Sequence, residues 1–411
     1  MYKKVPGTKD ILPDECAQWQ AIEQTSREIF RLYNYREIRV PVIEEAALFD
    51  RSLGQSSEIV QKQMFLIKNK EDLYALRPEG TAAIVRAYIE NSLDKTQGFA
   101  KFYYLGPMFR LERPQKGRLR QFHHIGCEVI GSYAPEIDVE VIRLAGALLD
   151  AYSIQGYKIQ INSLGCVKDK KALSDILHKK LKDKKSGLCP DCQDRLNRNV
   201  LRILDCKDES CKKIVQGLNI GAEYLCADCQ GHFDQVKSGL DGLGVKYEVS
   251  PHLVRGLDYY TRTVFEIKHD GLGAQDAIGA GGRYDNLIKE LGGPDTGAIG
   301  FAFGVERLLL AGEKPQTVNN NLVYVISLGQ EAKKEAAKLL NILRANGIAC
   351  DTDYEGKSLK AAMRKANDLN AKFVLMLGDN ELKSQSVSLK NMQTGEQKEI
   401  KQSDLIPELK C

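Results

Sequence analysis

The sequence lacks long hydrophobic stretches. No run of about 18 consecutive apolar residues occurs in its 411 residues, whereas a membrane-spanning helix needs about 20. The N-terminal segment MYKKVPGTKDILP also lacks the apolar core of a secretory signal peptide. Both absences argue against a membrane protein or an exported protein and predict a cytoplasmic one. The length is sufficient for roughly two to four domains with full cores.

The net charge of the chain is also small. The chain has 59 Lys and Arg against 55 Asp and Glu, a net charge of +4, which by itself does not indicate a nucleic-acid-binding protein. The distribution is uneven, because residues 168–213 hold 14 Lys and Arg against 8 Asp and Glu. This local surplus predicts either a surface that attracts a phosphate backbone or a solvated helix face.

Two common nucleotide-binding patterns are missing. The glycine-rich segment 279–287, GAGGRYDNL, has no strand, G-x-G-x-x-G and helix around it, so as a loop it is weak evidence for a nucleotide site. Gly356-Lys357-Ser358 resembles the end of a phosphate-binding loop, but Asp351 stands where that loop needs its first glycine. We therefore reject Gly356-Lys357-Ser358 as a phosphate-binding loop, whereas the glycine-rich segment remains weak evidence for a nucleotide site.

Cysteines are concentrated in residues 165–249, which hold seven of the eleven. Two CxxC pairs have the spacing of zinc ligands, and Cys206 and Cys211 lie between them in sequence. Disulfides are the less frequent use of cysteine in a cytosolic protein, which leaves structural zinc or reduced thiols. The predicted zinc ligands are Cys189, Cys192, Cys226 and Cys229.

The most informative stretch is 102–131, FYYLGPMFRLERPQKGRLRQFHHIGCEVIG. Its apolar ends, Phe102–Leu105 and Ile125–Ile130, predict two strands, and the loop between them holds several cations. Guanidinium groups pair with phosphate oxygens, so the stretch predicts a site for a triphosphate or a nucleic-acid backbone. A solvated hairpin with surface arginines is the alternative, but Glu128 within an apolar strand argues against it.

A second charged motif, 77–82, RPEGTA, stands at the predicted start of a helix. Glu79 and Thr81 offer a carboxylate and a hydroxyl that can bind an ammonium group. The alternative is that they cap the helix by accepting hydrogen bonds from its first amides.

Five sequence motifs carry a resemblance to the class II aminoacyl-tRNA synthetases. FRLERP with RQFH and GCEV resembles motif 2 of that class, REIRVPVIEEAALF resembles motif 1, and GFAFGVERL resembles motif 3. The segments RGLDYY, from Arg255, and GGRYD, from Gly281, are similar to segments peculiar to the histidyl branch. The motifs occur in the expected order over nearly the whole chain.

The resemblance implies an α+β fold whose catalytic core is built on an antiparallel sheet. It implies a catalytic domain at 1–312, interrupted by an insertion domain at 165–249, then a linker at 313–321. Residues 322–411 alternate strands and helices, which predicts a small α/β domain that resembles the anticodon-binding domain of several class II enzymes. Motif 1 forms the dimer interface in that class, so a homodimer is expected.

The activity that the resemblance implies has two steps. L-histidine and ATP, accompanied by Mg²⁺, give histidyl-adenylate and pyrophosphate, and the histidyl group then passes to the 3′ end of tRNA(His). The resemblance implies that Arg110 and Arg255 are catalytic residues that contact the α-phosphate. The expected ATP-binding residues are Arg110, Glu112, Arg118 and Arg307. The expected histidine-binding residues are Glu79, Gly80, Thr81, Arg110, His124, Glu128, Arg255, Tyr259, Tyr260 and Tyr284.

One position departs from the family pattern, since His124 stands where the resemblance predicts glutamine. Many family members also lack the cysteines, so a bound zinc is expected to be structural. Two rival interpretations are a regulatory subunit of ATP phosphoribosyltransferase and a prolyl or threonyl synthetase. The retained Arg255 and Arg307 and the C-terminal domain argue against the first. RGLDYY and GGRYD argue against the second.

Overall fold

The chain divides into two units, Met1–Lys314 and Pro315–Cys411, each with cores of its own. The computed structural model describes residues 2–54, 57–312 and 321–410. The predicted linker, 313–321, lies outside the described residues except for Asn321. The inserted segment, 165–249, groups with the first unit.

The strands of the first unit form a large and a small sheet. In chain order they are β1 (Arg36–Glu37), β2 (Ile43–Glu45), β3 (Phe65–Asn69), β4 (Asp72–Leu76), β5 (Ala100–Phe109), β6 (Gln121–Ile130), β7 (Tyr157–Ser163), β8 (Glu248–Val249), β9 (Thr261–His269), β10 (Ala277–Arg283) and β11 (Ala298–Gly304). The large sheet has the order β1-β5-β6-β11-β10-β9-β7-β8, and the small one β2-β4-β3. Only the outermost pairs of the large sheet, β1–β5 and β7–β8, are parallel.

The two strands predicted around the arginine-rich stretch are confirmed and are longer than predicted. β5 and β6 pair from Ala100 opposite Ile130 to Phe109 opposite Gln121. The loop between them is therefore 110–120, and its ends are tied by a hydrogen bond from the Arg110 amide to the Arg120 carbonyl. We call it the arginine loop.

The helices of the first unit divide between two hydrophobic cores. They are α1 (Pro13–Leu32), α2 (Ala46–Leu53), α3 (Thr81–Glu90), α4 (Leu93–Gln97), α5 (Pro135–Ala151), α6 (Val167–Leu181), α7 (Pro190–Arg198), α8 (Glu209–Gln216), α9 (Ala227–Gly242), α10 (Leu287–Glu290) and α11 (Val305–Ala311). Residues of α1, α5 and α9 share one core with alternate residues of the central strands. Among the described residues, none of the helices has the length and apolarity needed to cross a membrane.

Alternation along β6 assigns its residues to two faces. Ile125, Cys127 and Val129 belong to the core under the helices. Successive side chains of a strand point to opposite faces, so His124, Gly126 and Glu128 face the other side. That second face carries the candidate site.

Two predicted features of local structure are corrected. The residues of the stretch Leu253–Glu266 are typical of a strand, but β9 begins only at Thr261, and residues 253–260 form an irregular segment. The glycines treated as a loop, Gly279 to Gly282, belong to β10. A Cβ atom at Gly279 would collide with Phe303, so glycine serves close packing between strands there.

The second unit is the predicted α/β domain. Its elements are β12 (Val323–Ser327), α12 (Gln330–Ala345), β13 (Cys350–Thr352), α13 (Leu359–Asp368), β14 (Phe373–Leu377), α14 (Asp379–Ser384), β15 (Ser386–Asn391), β16 (Gln397–Lys401) and α15 (Leu405–Lys410). The sheet order is β13-β12-β14-β15-β16, parallel on one side of β14 and antiparallel on the other.

Candidate active site

The second face of the large sheet holds a cavity of about 320 Å³, here called the central cavity. Its wall includes four residues with small side chains or none, Ala280, Gly300, Ala302 and Gly304, on the neighbouring strands β10 and β11. A ligand can therefore lie close to the sheet backbone. The remaining wall is strongly polar.

The four arginines predicted to contact ATP, Arg110, Arg118, Arg255 and Arg307, all line this cavity, as does a fifth, Arg202. Arg110 and Arg118 belong to the arginine loop, Arg255 to the irregular segment before β9, and Arg307 to α11. The structure thus brings together the cations that the sequence predicted would converge on one nucleotide.

Backbone carbonyls hold two of these guanidinium groups. Arg110 Nε donates to the Pro78 carbonyl at 2.9 Å. Arg307 Nε donates to the Gly117 carbonyl at 3.0 Å, and its Nη1 donates to the Ala277 carbonyl at 2.6 Å. Burial lowers the pKa of both groups, so a bound anion would relieve the cost of keeping them charged.

Carboxylates hold the other two. Arg118 contacts Glu112, a buried residue that also lines the cavity. Arg255 Nη1 donates to Glu266 Oε1 at 2.6 Å, whereas its buried Nε atom has no hydrogen-bond partner among the described residues. A buried donor without a partner is costly, which indicates that a ligand accepts from this atom.

Glu79 stands at the start of α3 and caps it. Its Oε2 accepts from the Thr81 amide at 2.6 Å, and its Oε1 accepts from the Ala82 amide at 2.8 Å. The capping alternative raised by the sequence is therefore observed. A carboxylate has further lone pairs, so capping does not prevent this cavity-lining group from accepting an ammonium.

Glu128 is buried behind the cavity wall, between two side chains that line it. Thr81 Oγ1 donates to Glu128 Oε1 at 2.7 Å, and the Tyr284 hydroxyl donates to Oε2 at 2.6 Å. Burial raises the pKa of Glu128 to about 8, against the lowering effect of these two donors. The carboxyl group thus fixes the orientation of Thr81 and Tyr284.

Tyrosines form the rest of this end of the cavity. The ring centroids of Tyr259 and Tyr260 are 4.7 Å apart, and those of Tyr259 and Tyr284 are 5.7 Å apart. Burial raises the pKa of Tyr260 to about 12. Gly80 is not part of the cavity wall; a Cβ atom there would lie 2.6 Å from the Tyr104 ring, so glycine admits that ring.

This geometry agrees with comparisons to known proteins. Residues 7–308 match the family model described as "Histidyl-tRNA synthetase", and residues 322–411 match "Anticodon binding domain". The chain belongs to the histidyl-tRNA synthetase family. Its activity is that of a histidine–tRNA ligase, an ATP-dependent aminoacyl-tRNA ligase. The predictions of family, fold class and activity are confirmed.

Curated relatives and a solved structure cover the full length. The "Histidine--tRNA ligase" of Halothermothrix orenii is 46% identical over 100% of this chain and 99% of its own. That of Natranaerobius thermophilus is 45% identical over 97% of each chain. The apo histidyl-tRNA synthetase of S. aureus has a TM-score of 0.84 at 36% identity, with both chains covered completely.

Part of the synthetase's cavity wall was not predicted. Arg202, Asp205 and Lys207 of the inserted segment line the cavity. Arg202 Nη1 donates to the backbone carbonyl of Arg255 at 3.3 Å, which joins the inserted segment to the irregular segment 253–260. The sequence showed only that this region is basic, because the wall depends on contacts between distant parts of the chain.

The predicted zinc ligand set is wrong in its pairing. Cys189 and Cys192 cluster with Cys206 and Cys211, whereas Cys226 and Cys229 cluster with Cys166 and Asp169. The two CxxC pairs therefore belong to different clusters and do not form one four-cysteine site. The reason is that each CxxC pair lies at the start of a different helix, α7 or α9, so the two pairs have different neighbouring side chains.

His124 stands where the family pattern predicts glutamine, and the effect of this difference can be tested. Burial, and then the charge of Arg110, hold its pKa well below the usual histidine value, so the ring is neutral. A neutral imidazole offers one donor and one acceptor, as an amide does. We expect His124→Gln to keep histidine-dependent ATP–pyrophosphate exchange within a few-fold, and near-complete loss of exchange would contradict an assisting role.

The same variant has a pH signature. Because the folded protein resists protonation of His124 while the unfolded chain accepts it, this residue lowers stability as pH falls below about 6.5. Urea unfolding between pH 5 and 8 should therefore show a steeper acid-side loss of unfolding free energy for the wild type than for His124→Gln.

Proposed function

We propose that the central cavity binds histidine and ATP together and that its four arginines drive formation of histidyl-adenylate. One observation supports this proposal most directly: Arg110, Arg118, Arg255 and Arg307 all line the same cavity. In the first step the histidine carboxylate attacks the α-phosphorus and pyrophosphate leaves. In the second, the terminal ribose of tRNA(His) attacks the acyl carbon and AMP leaves.

Arg110 and Arg255 would contact the α-phosphate, while Arg118 and Arg307 would hold the β- and γ-phosphates. Negative charge on the phosphate oxygens is redistributed as the carboxylate attacks. Guanidinium groups already fixed by protein contacts stabilise that charge without reorganising. The unpartnered Nε of Arg255 supports its assignment, because an α-phosphate oxygen would supply the missing acceptor.

Mg²⁺ would accompany ATP and neutralise part of the phosphate charge. Glu112 fits a role near that ion, since it is a hard oxygen donor on the cavity wall beside Arg118. The synthetase's own contribution is positional: Glu112 fixes the Arg118 guanidinium. None of the predicted zinc ligands lines the cavity in the described part of the chain.

Histidine would lie at the tyrosine end. Glu79 and Thr81 would accept its ammonium group, and Tyr260 would hydrogen-bond its imidazole, with Tyr259, Tyr284 and His124 around it. Glu128, predicted to contact the imidazole directly, lies behind the wall and would act through Thr81 and Tyr284, which donate to it. A pocket that hydrogen-bonds both ring nitrogens rejects side chains lacking them, by roughly 10⁴-fold or more, because its own buried polar groups would lose their partners.

ATP–pyrophosphate exchange with each standard amino acid tests this proposal. We expect histidine to stimulate exchange and the other amino acids to leave it at the background level. Stimulation by a different amino acid, or by none, would contradict it. Aminoacylation of tRNA(His) by the same preparation tests the second step.

We also propose that the synthetase acts in the cytoplasm as a homodimer. The small sheet β2-β4-β3 exposes a set of apolar side chains that monomeric proteins normally cover. They are Ile43, Leu66, Ile67 and Leu73. Covering them with a second copy would bury the strand that resembles motif 1.

A further inference from the structure

The inserted segment contains a cluster of four cysteines that the proposed function does not use. Cys189, Cys192, Cys206 and Cys211 have their Sγ atoms all within 4.8 Å of one another. We call it the first cysteine cluster. From this arrangement we propose that it binds one structural Zn²⁺ ion per chain through four thiolates.

The distances within the cluster suit a metal and not a disulfide. Cys189 Sγ and Cys206 Sγ are 3.8 Å apart, far beyond the length of about 2.05 Å of a disulfide bond. Four sulfurs at about 2.3 Å from a tetrahedral zinc ion are about 3.8 Å from one another. The cluster therefore needs only small inward movements to reach the geometry of a four-cysteine zinc site.

Local structure places three of the four sulfurs where thiolate charge is stabilised. Cys189 immediately precedes α7 and Cys192 lies in its first turn, while Cys211 lies in the first turn of α8. The N-terminal end of a helix favours negative charge. The Cys189 amide donates to Cys211 Sγ at 3.2 Å, and Arg195 Nη1 lies 3.9 Å from Cys192 Sγ.

Charge balance is consistent with these neighbours. Each thiol would release its proton on binding, so four protons leave as one Zn²⁺ enters and the site acquires two negative charges. Arg195 offsets part of that charge. The ligand spacing, C-x2-C followed by a C-x4-C pair, brings two short local pairs to one ion.

The second cysteine cluster, Cys166, Asp169, Cys226 and Cys229, has an explanation without a metal. Asp169 Oδ2 accepts from the Cys166 amide and Oδ1 from the Cys226 amide, each at 3.1 Å. One carboxylate thereby caps the starts of both α6 and α9. We therefore assign zinc to the first cluster alone, and the second provides matched control cysteines.

The proposed ion would fix one wall of the central cavity. Residues 193–205 connect the two cysteine pairs, and Arg202 and Asp205 of this segment line the cavity together with Lys207, which follows Cys206. Asn199 Nδ2 donates to Asp258 Oδ1 at 3.0 Å, and Arg202 donates to the Arg255 carbonyl. Zinc would thus fix both ends of the segment whose Arg202 side chain contacts the Arg255 backbone.

Metal analysis of the full-length protein, purified without a metal-binding tag under reducing, zinc-replete conditions, tests the proposal. We expect near one zinc per chain in the wild type and loss of zinc in Cys206→Ser. Cys226→Ser, the control from the second cluster, should keep its zinc. Cobalt substitution should give the absorption of a tetrahedral thiolate site in the wild type and in Cys226→Ser.

A second variant covers the case in which Cys206→Ser does not fold. Cys206→His supplies another zinc ligand, so it should fold and retain one zinc. Zinc near zero in the wild type, or loss of zinc from Cys226→Ser with retention in Cys206→Ser, would overturn the proposal. A Cys189–Cys206 disulfide found by mass spectrometry in protein prepared under the same conditions would overturn it as well. None of these outcomes depends on the proposed phosphate contacts.

Discussion

Arg255→Gln is expected to lower kcat for ATP–pyrophosphate exchange by about 10²–10³-fold, the usual effect of removing one fixed donor from developing charge. Arg255 lines the cavity, is held by Glu266, and keeps a buried Nε atom without a partner. Glutamine preserves hydrogen-bonding capacity but removes the positive charge. The loss should therefore appear in kcat more than in the KM for histidine.

Two further variants make this result specific. Arg255→Lys keeps the charge as a point cation and cannot present two parallel donors, so it should recover only part of the activity. Arg143→Gln changes a half-exposed arginine of α5, on the covered face of the sheet, and should leave exchange unchanged. Wild-type turnover in Arg255→Gln would remove Arg255 from the proposed chemistry.

Asp138→Ala is expected to reduce the free energy of unfolding by about 3–5 kcal/mol, because it removes one of the two carboxylates that pair with a buried guanidinium group and leaves its Nε without an acceptor. Asp138 Oδ1 is 2.6 Å from Arg283 Nε, and both side chains are fully buried. Arg283 also donates to the carbonyls of Ser132 and Ala134, at 3.0 Å and 2.7 Å. This network ties β10 to the segment that precedes α5.

The control lies on the same helix. Arg143 and Asp150 of α5 form a solvent-exposed ion pair at 3.4 Å, and such pairs contribute about 0–1 kcal/mol. Urea unfolding should show a larger loss of unfolding free energy for Asp138→Ala than for Asp150→Ala. Equal stability of the two variants would mean that the buried pair does not hold the first unit together.

The sequence motif GGRYD did not determine where the Arg283 side chain lies. GGRYD served as a marker of the family, and its arginine was assigned no role from the sequence. The structure places Arg283 in the core, bound to Asp138 and Asp285, while the neighbouring Tyr284 lines the cavity. Adjacent residues of a strand face opposite sides, so only the position of β10 in the sheet assigns each one to its role.

The motifs of the sequence identified the family, and the resemblance implied the α+β fold class and the activity. Residue periodicity and breakers predicted the two strands beside the arginine loop and the C-terminal α/β domain, because these features are local in sequence. Tertiary structure decided which side chains meet. The four arginines span positions 110 to 307, and their convergence follows from the sheet order and the chain path. The cysteines were mispaired for the same reason: spacing identifies each CxxC pair, but only the packing of α6 to α9 selects its partners.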